Sequence, residues 1–173
     1  GKTELAKILY QKYGYQKCIT TTTRSPRQNE VDGKDYHFVS KNQFETLENT
    51  DAFVEVTAYH EHKYGLQKKD VLENGIVIVD PNGANHLTKK LKDQAYVVYV
   101  ASDEDIRQSR MLSRGDDLIK IQQRLTVDRD VFSEESFQKI NLKIENHHEP
   151  LERHAVVIHN AYQLYLTTTL HPI

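Results

Sequence analysis

Short, nearly unbroken apolar runs punctuate the second half of the chain: IVIVD from Ile76, AYVVYVA from Ala95 and AVVIH from Ala155. Such runs suit strands covered on both faces of a parallel sheet, and predict strands over Ile76 to Asp80, Ala95 to Ala101 and Ala155 to His159. Two more strands are predicted at Tyr36 to Val39 and Ala52 to Ala58. Helical spacing fills the gaps. Leu5, Ile8 and Leu9 open one helix; Ser40 with Gln43 forms a capping box for a second, through Leu47. A third runs from about Lys68 to a stop at Asn74-Gly75, and others lie near Ala84 to Lys92, Asp103 to Leu112, Leu118 to Val131 and Ala161 to Leu170. Strand and helix in alternation predict a single α/β domain with a parallel sheet flanked by helices.

From Thr20 to about Gln67 the alternation breaks. This stretch is more polar, with turn signals at Ser25-Pro26 and Asp32-Gly33, and it reads as a β-rich insertion. Composition narrows the function classes. With 173 residues the chain suits one compact domain, and a net charge of −2 offers no global attraction to nucleic acid or to an anionic membrane, so any anion site must be local. No apolar run approaches the length of a membrane span. One cysteine, Cys18, excludes an internal disulfide and suits a reducing compartment; a soluble, cytoplasmic protein is expected. His60, His62, His147 and His148 lack the spacing of a metal site, and Asp128-Arg129-Asp130 could order a lid or be a solvated face, of which the solvated face is expected.

Two places carry candidate chemistry. Gly1-Lys2-Thr3 enters the first helix directly, as the end of a phosphate-binding loop does: backbone N–H groups cradle phosphates, the lysine reaches the outer ones and the hydroxyl ligates magnesium. In isolation the tripeptide is more simply a helix N-terminus with a chance lysine. If residues precede it in the natural chain, they are expected to supply the first half of that loop and a central strand. Arg24 and Arg27 flank Pro26 with forked, permanently charged donors suited to a phosphate or carboxylate, and Tyr36 adds a neutral hydroxyl. Spacing alone fits a solvated turn as well.

Taken together, GKT (1–3), TTTTRSPRQNEVDGKDYHFV (20–39), FVEV (53–56), KYG (63–65), DPNG (80–83) and RMLSRG (110–115) resemble guanylate kinase. The resemblance implies a P-loop NTPase fold with its core in residues 1–19, 68–102 and 131–173, a monophosphate-binding insertion over about 20–67 and a helical lid over about 103–130. It implies ATP-dependent phosphorylation of GMP or dGMP, with magnesium accompanying ATP. Gly1, Lys2, Thr3 and His159 are then expected at ATP, with Thr3 and Asp80 near the metal. Arg24, Arg27, Tyr36 and Tyr64 are expected to hold the monophosphate, and Thr20, Glu55, Leu66 and Asp80 to line the base. Lys2, Arg110, Arg114 and Arg124 are expected to stabilise the transferring phosphoryl group. The partners expected are ATP and a GMP-like substrate, without nucleic acid or membrane, in a monomer or homodimer.

The chain also departs from the family pattern. Ile78 stands for the first of two aspartates, Leu66 for a serine or threonine that bonds guanine, and Asn29 for a turn glycine, while His159 or Asn160 falls where an asparagine lies near adenine. The clamp is kept and base recognition thinned, so a diluted preference for guanine is expected, which Leu66→Ser should sharpen. The alternatives are a kinase for another phosphate monoester, such as another nucleotide or a ribose bisphosphate, and a guanylate kinase-like domain that binds a protein and does no chemistry.

Overall fold

The computed structural model describes residues 1–113 and 115–170. Helix α1 (Lys2–Tyr13) buries Leu5, Ala6 and Leu9 along one face, and Gly14, at φ 71°, closes it in the left-handed region open to glycine. The chain continues through β1 (Gln16–Lys17), β2 (Thr21–Thr22), β3 (His37–Phe38), α2 (Lys41–Asn49), β4 (Phe53–Tyr59), β5 (His62–Gln67) and β6 (Gly75–Ile76). Then come α3 (Pro81–Leu91), β7 (Val98–Ala101), α4 (Glu104–Ser113), α5 (Leu118–Val131), β8 (Leu142–Glu145) and α6 (Leu151–Tyr165), which runs on into a π-helical turn.

Local chemistry accounts for several helix starts. The Ser40–Gln43 capping box forms at α2. Asp80 caps α3 ahead of Pro81, and Asp117 caps α5 by accepting the N–H groups of Ile119 and Lys120.

Parallel pairing occurs in three places among the described residues: β1 with β6, β2 with β3, and β7 with β8, the last in register from Val98↔Leu142 to Ala101↔Glu145. The insertion forms a four-stranded sheet in the order β3-β2-β5-β4. Among the described residues β1–β6 and β7–β8 are separate two-stranded sheets, and Ile76, Val98, Val100 and Leu142 from them pack on the cluster built by α1 and α6.

Three expectations are corrected. Ala155 to His159 is not a strand but the middle of α6: His154, Ala155 and Ile158 are buried at helical spacing, while Val156 and Val157 face out. The strand beside β7 is β8 instead. The predicted helix after Lys68 shrinks to one 3₁₀ turn, Lys68–Asp70, and the predicted strand at 76–80 pairs only as far as Ile76. Beyond it Val77 and Val79 pack on a cluster of Cys18, Leu66 and Leu87.

That cluster ties the insertion to α3. A second one, Leu5, Leu9, Tyr15, Ile144, Ala155 and Ile158, clamps α1 and α6 against β8, and Met111, Ile121 and Leu125 hold α4 to α5. Each such buried aliphatic side chain contributes about 1.5–3 kcal/mol. The outcome is a rigid platform with the N-terminus of α1 at the C-terminal ends of β7 and β8.

Candidate active site

The polar segment after β2 closes on itself. Arg24 donates its backbone N–H to Thr22 Oγ1 at 3.1 Å, and its guanidinium carbon lies 5.3 Å from the Tyr36 ring centroid and 5.7 Å from that of Phe38. Its Nη2 meets both oxygens of Glu30, and Nη1 donates to the Ser25 carbonyl at 2.7 Å. Tyr36 packs edge-on against Tyr64 of β5, with centroids 6.3 Å apart. Burial holds the Tyr36 phenol above its ordinary pKa, so it stays a neutral donor. Arg27 is exposed on the same turn, where Asn29 adopts φ 70°. The structure thus brings Arg24, Tyr36 and Tyr64 together, with Arg27 at the rim.

The same sheet carries a buried carboxylate. Glu55 on β4 is 5% exposed; its Oε1 accepts the Leu66 N–H at 3.1 Å, and its Oε2 is buried without a hydrogen-bond partner. Burial pushes its pKa up to about 7; the Leu66 N–H opposes the rise and the charge of Asp80 adds to it. Asp80 itself accepts the Gly83 N–H at 2.7 Å, capping α3. A Cβ at Gly83 would lie 3.3 Å from Glu55 Oε2, so the unpartnered oxygen faces the first turn of α3. Thr20 is buried beside β2, and its carbonyl accepts the His37 N–H at 2.9 Å.

Leu66 is placed differently from expectation. Its side chain, 2% exposed, packs with Cys18 and Leu87, so it belongs to the core, and only its backbone N–H reaches Glu55. Ile78 is 38% exposed.

On the other side, Gly1 caps α1 and its carbonyl accepts the Leu5 N–H at 3.0 Å. A side chain at Gly1 would collide with Asn146, which is why the chain can pass so close there. Arg110 of α4 reaches the same place, with Nη2 3.4 Å from Asn146 Oδ1 and 3.2 Å from the His147 carbonyl. The Lys2 ammonium lies 5.4 Å from the Phe132 ring centroid. Its pKa is lowered, first by desolvation and then by the Arg124 and Arg107 charges, with Asp128 opposing. Arg124 Nε lies 3.6 Å from Asp128 Oδ2. Thr3 is exposed in the first turn of α1. Arg114 lies outside the described residues.

His159 is not brought to this place. It sits on α6, its ring stacked on Tyr13 at 4.3 Å and its Nδ1 3.0 Å from the Tyr15 hydroxyl. Tyr13 ends α1, so this is the opposite end of that helix from Lys2, about 16 Å along its axis. The error follows from reading 155–159 as a strand. Two residues that the sequence did not assign to the site are present instead. Asn146, 1% exposed, follows β8 with its Nδ2 buried and without a hydrogen-bond partner. Asp128 is 9% exposed, not part of a solvated face, although Arg129 beside it does turn outward to pair with Glu104. LKIEN ending a strand next to β7 was the available signal for Asn146; for Asp128 the sequence left a choice between ordering the lid and a solvated face, and the solvated face was the expectation.

The protein therefore offers three features: Arg24 grouped with Tyr36 and Tyr64, a buried carboxylate with an unpartnered oxygen at Glu55, and a helix N-terminus with Lys2 and Arg110 beside it. For magnesium, the protein offers the Thr3 hydroxyl at that N-terminus, and Asp80 is already engaged as a cap. Magnesium characteristically keeps few protein ligands and takes the rest from phosphates and water, so this sparse set fits an ion carried by a nucleotide.

Comparison with known proteins follows the same lines. The guanylate kinase family profile matches residues 1–158. Guanylate kinase of Campylobacter jejuni (strain RM1221) is 30% identical over 164 residues, covering 87% of this chain and 80% of its own. Guanylate kinase of Onion yellows phytoplasma is 32% identical over 124 residues, and the match spans 66% of this chain but 58% of the relative's length. A crystal structure of guanylate kinase from Anaplasma phagocytophilum superposes with a TM-score of 0.72 at 21% identity, covering 95% of this chain and 82% of that one. That likeness speaks for the fold.

Proposed function

This chain belongs to the guanylate kinase family, and on that premise we propose that it transfers the γ-phosphoryl group of ATP to GMP or dGMP, giving ADP and the guanine diphosphate. The observation that carries the reading is that one sheet presents both the Arg24–Tyr36–Tyr64 clamp and the buried Glu55 carboxylate with a free oxygen. A phosphate monoester held by the clamp places its base toward Glu55. Guanine offers that carboxylate an N1–H and an exocyclic amine, whereas a base lacking them leaves a buried charge unpaired.

Residues 20–67 then act as the monophosphate-binding insertion and 103–130 as the lid, over a core formed by the rest. A non-bridging oxygen of the acceptor phosphate attacks the γ-phosphorus, and the bond to the β,γ-bridging oxygen breaks to release ADP. The protein contributes alignment and positive charge. Arg24 and Arg27 neutralise the acceptor phosphate, Tyr36 and Tyr64 donate hydroxyls to it, Gly1 and Lys2 hold the donor phosphates, and Arg110 and Arg124 lie where charge develops. Thr3 is the protein ligand for magnesium, which when bound shields the repulsion between phosphates. Asp80 serves the base side by fixing the α3 N-terminus against Glu55. Thr20 lines that pocket. His159 has no part in this reading.

The test is ADP release by the full-length protein with ATP and magnesium against GMP, dGMP, AMP, UMP and a ribose bisphosphate. Turnover with the guanine nucleotides in preference to the rest is expected. Turnover only of another monoester transfers the reading to that substrate. No turnover, with capture of a protein through the Arg24 and Arg27 face, makes the domain a binding module.

A further inference from the structure

The β4–β5 hairpin and helix α5 meet at a polar contact that the phosphoryl-transfer reading leaves unused. Tyr59, the last residue of β4, donates its hydroxyl to Asp128 Oδ1 at 3.0 Å across 69 positions of sequence. The other carboxylate oxygen, Oδ2, faces Arg124 Nε at 3.6 Å one turn earlier on α5. Asp128 also tempers the cationic surroundings of Lys2, where Arg124 and Arg107 both lower the ammonium pKa. One carboxylate, 9% exposed, thus accepts from Tyr59 of the acceptor side, faces Arg124 of α5 and offsets part of the positive charge around Lys2.

The hairpin tip is built to hold Tyr59 there. His60 takes φ 51°, a backbone region that non-glycine residues seldom adopt, and its ring sits edge-on to Tyr59 with centroids 4.3 Å apart. Burial, with the Asp128 charge adding to it, pushes the Tyr59 phenol up to about 12, so it remains a proton donor to the carboxylate at every working pH. A surface ion pair between neighbouring helical residues contributes little by itself. A buried carboxylate shared with a distant tyrosine differs, because its loss removes the acceptor that the Tyr59 hydroxyl and the Arg124 guanidinium have in common.

We propose that Asp128 is a positioning residue that sets the lid arginine Arg124 in register with the acceptor-binding insertion, using Tyr59 as its anchor. This rests on the phosphoryl-transfer reading for its consequence. Phosphoryl transfer demands that two bound phosphates line up, and displacements of about 1 Å can cost orders of magnitude in rate. A bond joining the unit that holds the acceptor to the helix that carries a donor-side arginine restricts that displacement. Asp128 touches neither substrate; its effect is exerted through Arg124.

Three variants of the full-length chain test it: Tyr59→Phe, Asp128→Ala and the two combined. Tyr59→Phe removes one hydroxyl and keeps the ring, so it folds if the parent does. Two readouts are taken, equilibrium unfolding and steady-state kinetics with GMP and magnesium–ATP at a temperature where all variants are folded. In unfolding, the combined variant should lose clearly less than the sum of the singles; additive losses overturn the link whatever the activity. In kinetics, each single variant should lower kcat roughly tenfold with the KM for GMP little changed, and the combined variant should be no worse than Asp128→Ala. A kcat at the parent level, or a loss confined to KM, overturns the positioning role. A parent chain that turns over no monophosphate overturns both the kinase reading and the catalytic consequence, while the unfolding cycle still decides the link.

Discussion

Glu30 lays its carboxylate against Arg24, with Oε1 2.9 Å and Oε2 3.0 Å from Nη2, and Oε2 also accepts the Arg27 N–H at 2.7 Å. The clamp arginine is therefore oriented before any anion arrives, and the turn bearing Arg27 is pinned to the same group. Arg24→Ala and Arg27→Ala should each lower kcat/KM for the monophosphate by ten- to a hundredfold, the loss of a charge-assisted contact of about 1.5–3 kcal/mol. Glu30→Ala should raise the acceptor KM severalfold while kcat changes less, because it loosens the clamp without removing it. Steady-state kinetics at varied GMP measures both.

Glu55 makes pH a lever on stability and on base binding. Its folded pKa, about 7, stands above the ordinary 4.5, so the folded state prefers the protonated acid. That preference is fully felt below pH 4.5 and is lost as pH rises through 7, which leaves the wild type carrying a buried charge in alkaline solution. Glu55→Gln should thus gain stability relative to wild type between pH 5 and pH 8, by up to about 3 kcal/mol, in parallel urea titrations. In the proposed role of Glu55 guanine is bound by the ionised form, so the KM for GMP should fall over the same interval and be flat in pH for the variant.

Leu66→Ser should not act as a specificity switch. The side chain is 2% exposed beside Cys18 and Leu87, and the change removes apolar contacts while burying a hydroxyl. A loss of about 3 kcal/mol or more is expected from thermal or urea unfolding, with the ratio of GMP to AMP turnover little altered in the folded fraction.

Lys2→Ala should spare the fold, because its backbone lies in the exposed first turn of α1. It should lower kcat with ATP by at least tenfold, since the ammonium is held at the donor side among Arg124, Arg107 and Asp128. Circular dichroism and initial rates on the same sample separate the two effects.

Much of this was legible in the sequence, and the failures share a cause. The α2 capping box and the span of α5 were readable because caps and turn residues act locally. The grouping of Arg24 with Tyr36 was readable because the two fall within one short stretch. AVVIH misled because an unbroken apolar run does not reveal its period; here Val156 and Val157 are exposed, which only packing against α1 decides. LKIE, the strand that does exist, alternates apolar with charged residues, and it is recognisable only beside β7. With that strand misplaced, His159 was expected beside the α1 N-terminus, where Asn146 lies in the structure. Leu66 failed for a related reason: alignment with a polar family position cannot tell which face of β5 a leucine chooses.

The Cys18 thiol, buried against Leu66 and Leu87 and raised in pKa chiefly by that burial, has a practical consequence. It is the one cysteine of the chain, and a Cβ at Gly75 would run into its sulfur, so reagent reaches it only when the β1–β6 seam parts. Alkylation of the native protein is then a stopwatch for that opening. With reagent in excess the rate should level off at the opening rate, or at lower concentration report the fraction of time the seam stands open. Because the cluster joins the insertion to α3, a ligand that bridges those two should slow the stopwatch, giving a measure of acceptor binding that requires no turnover.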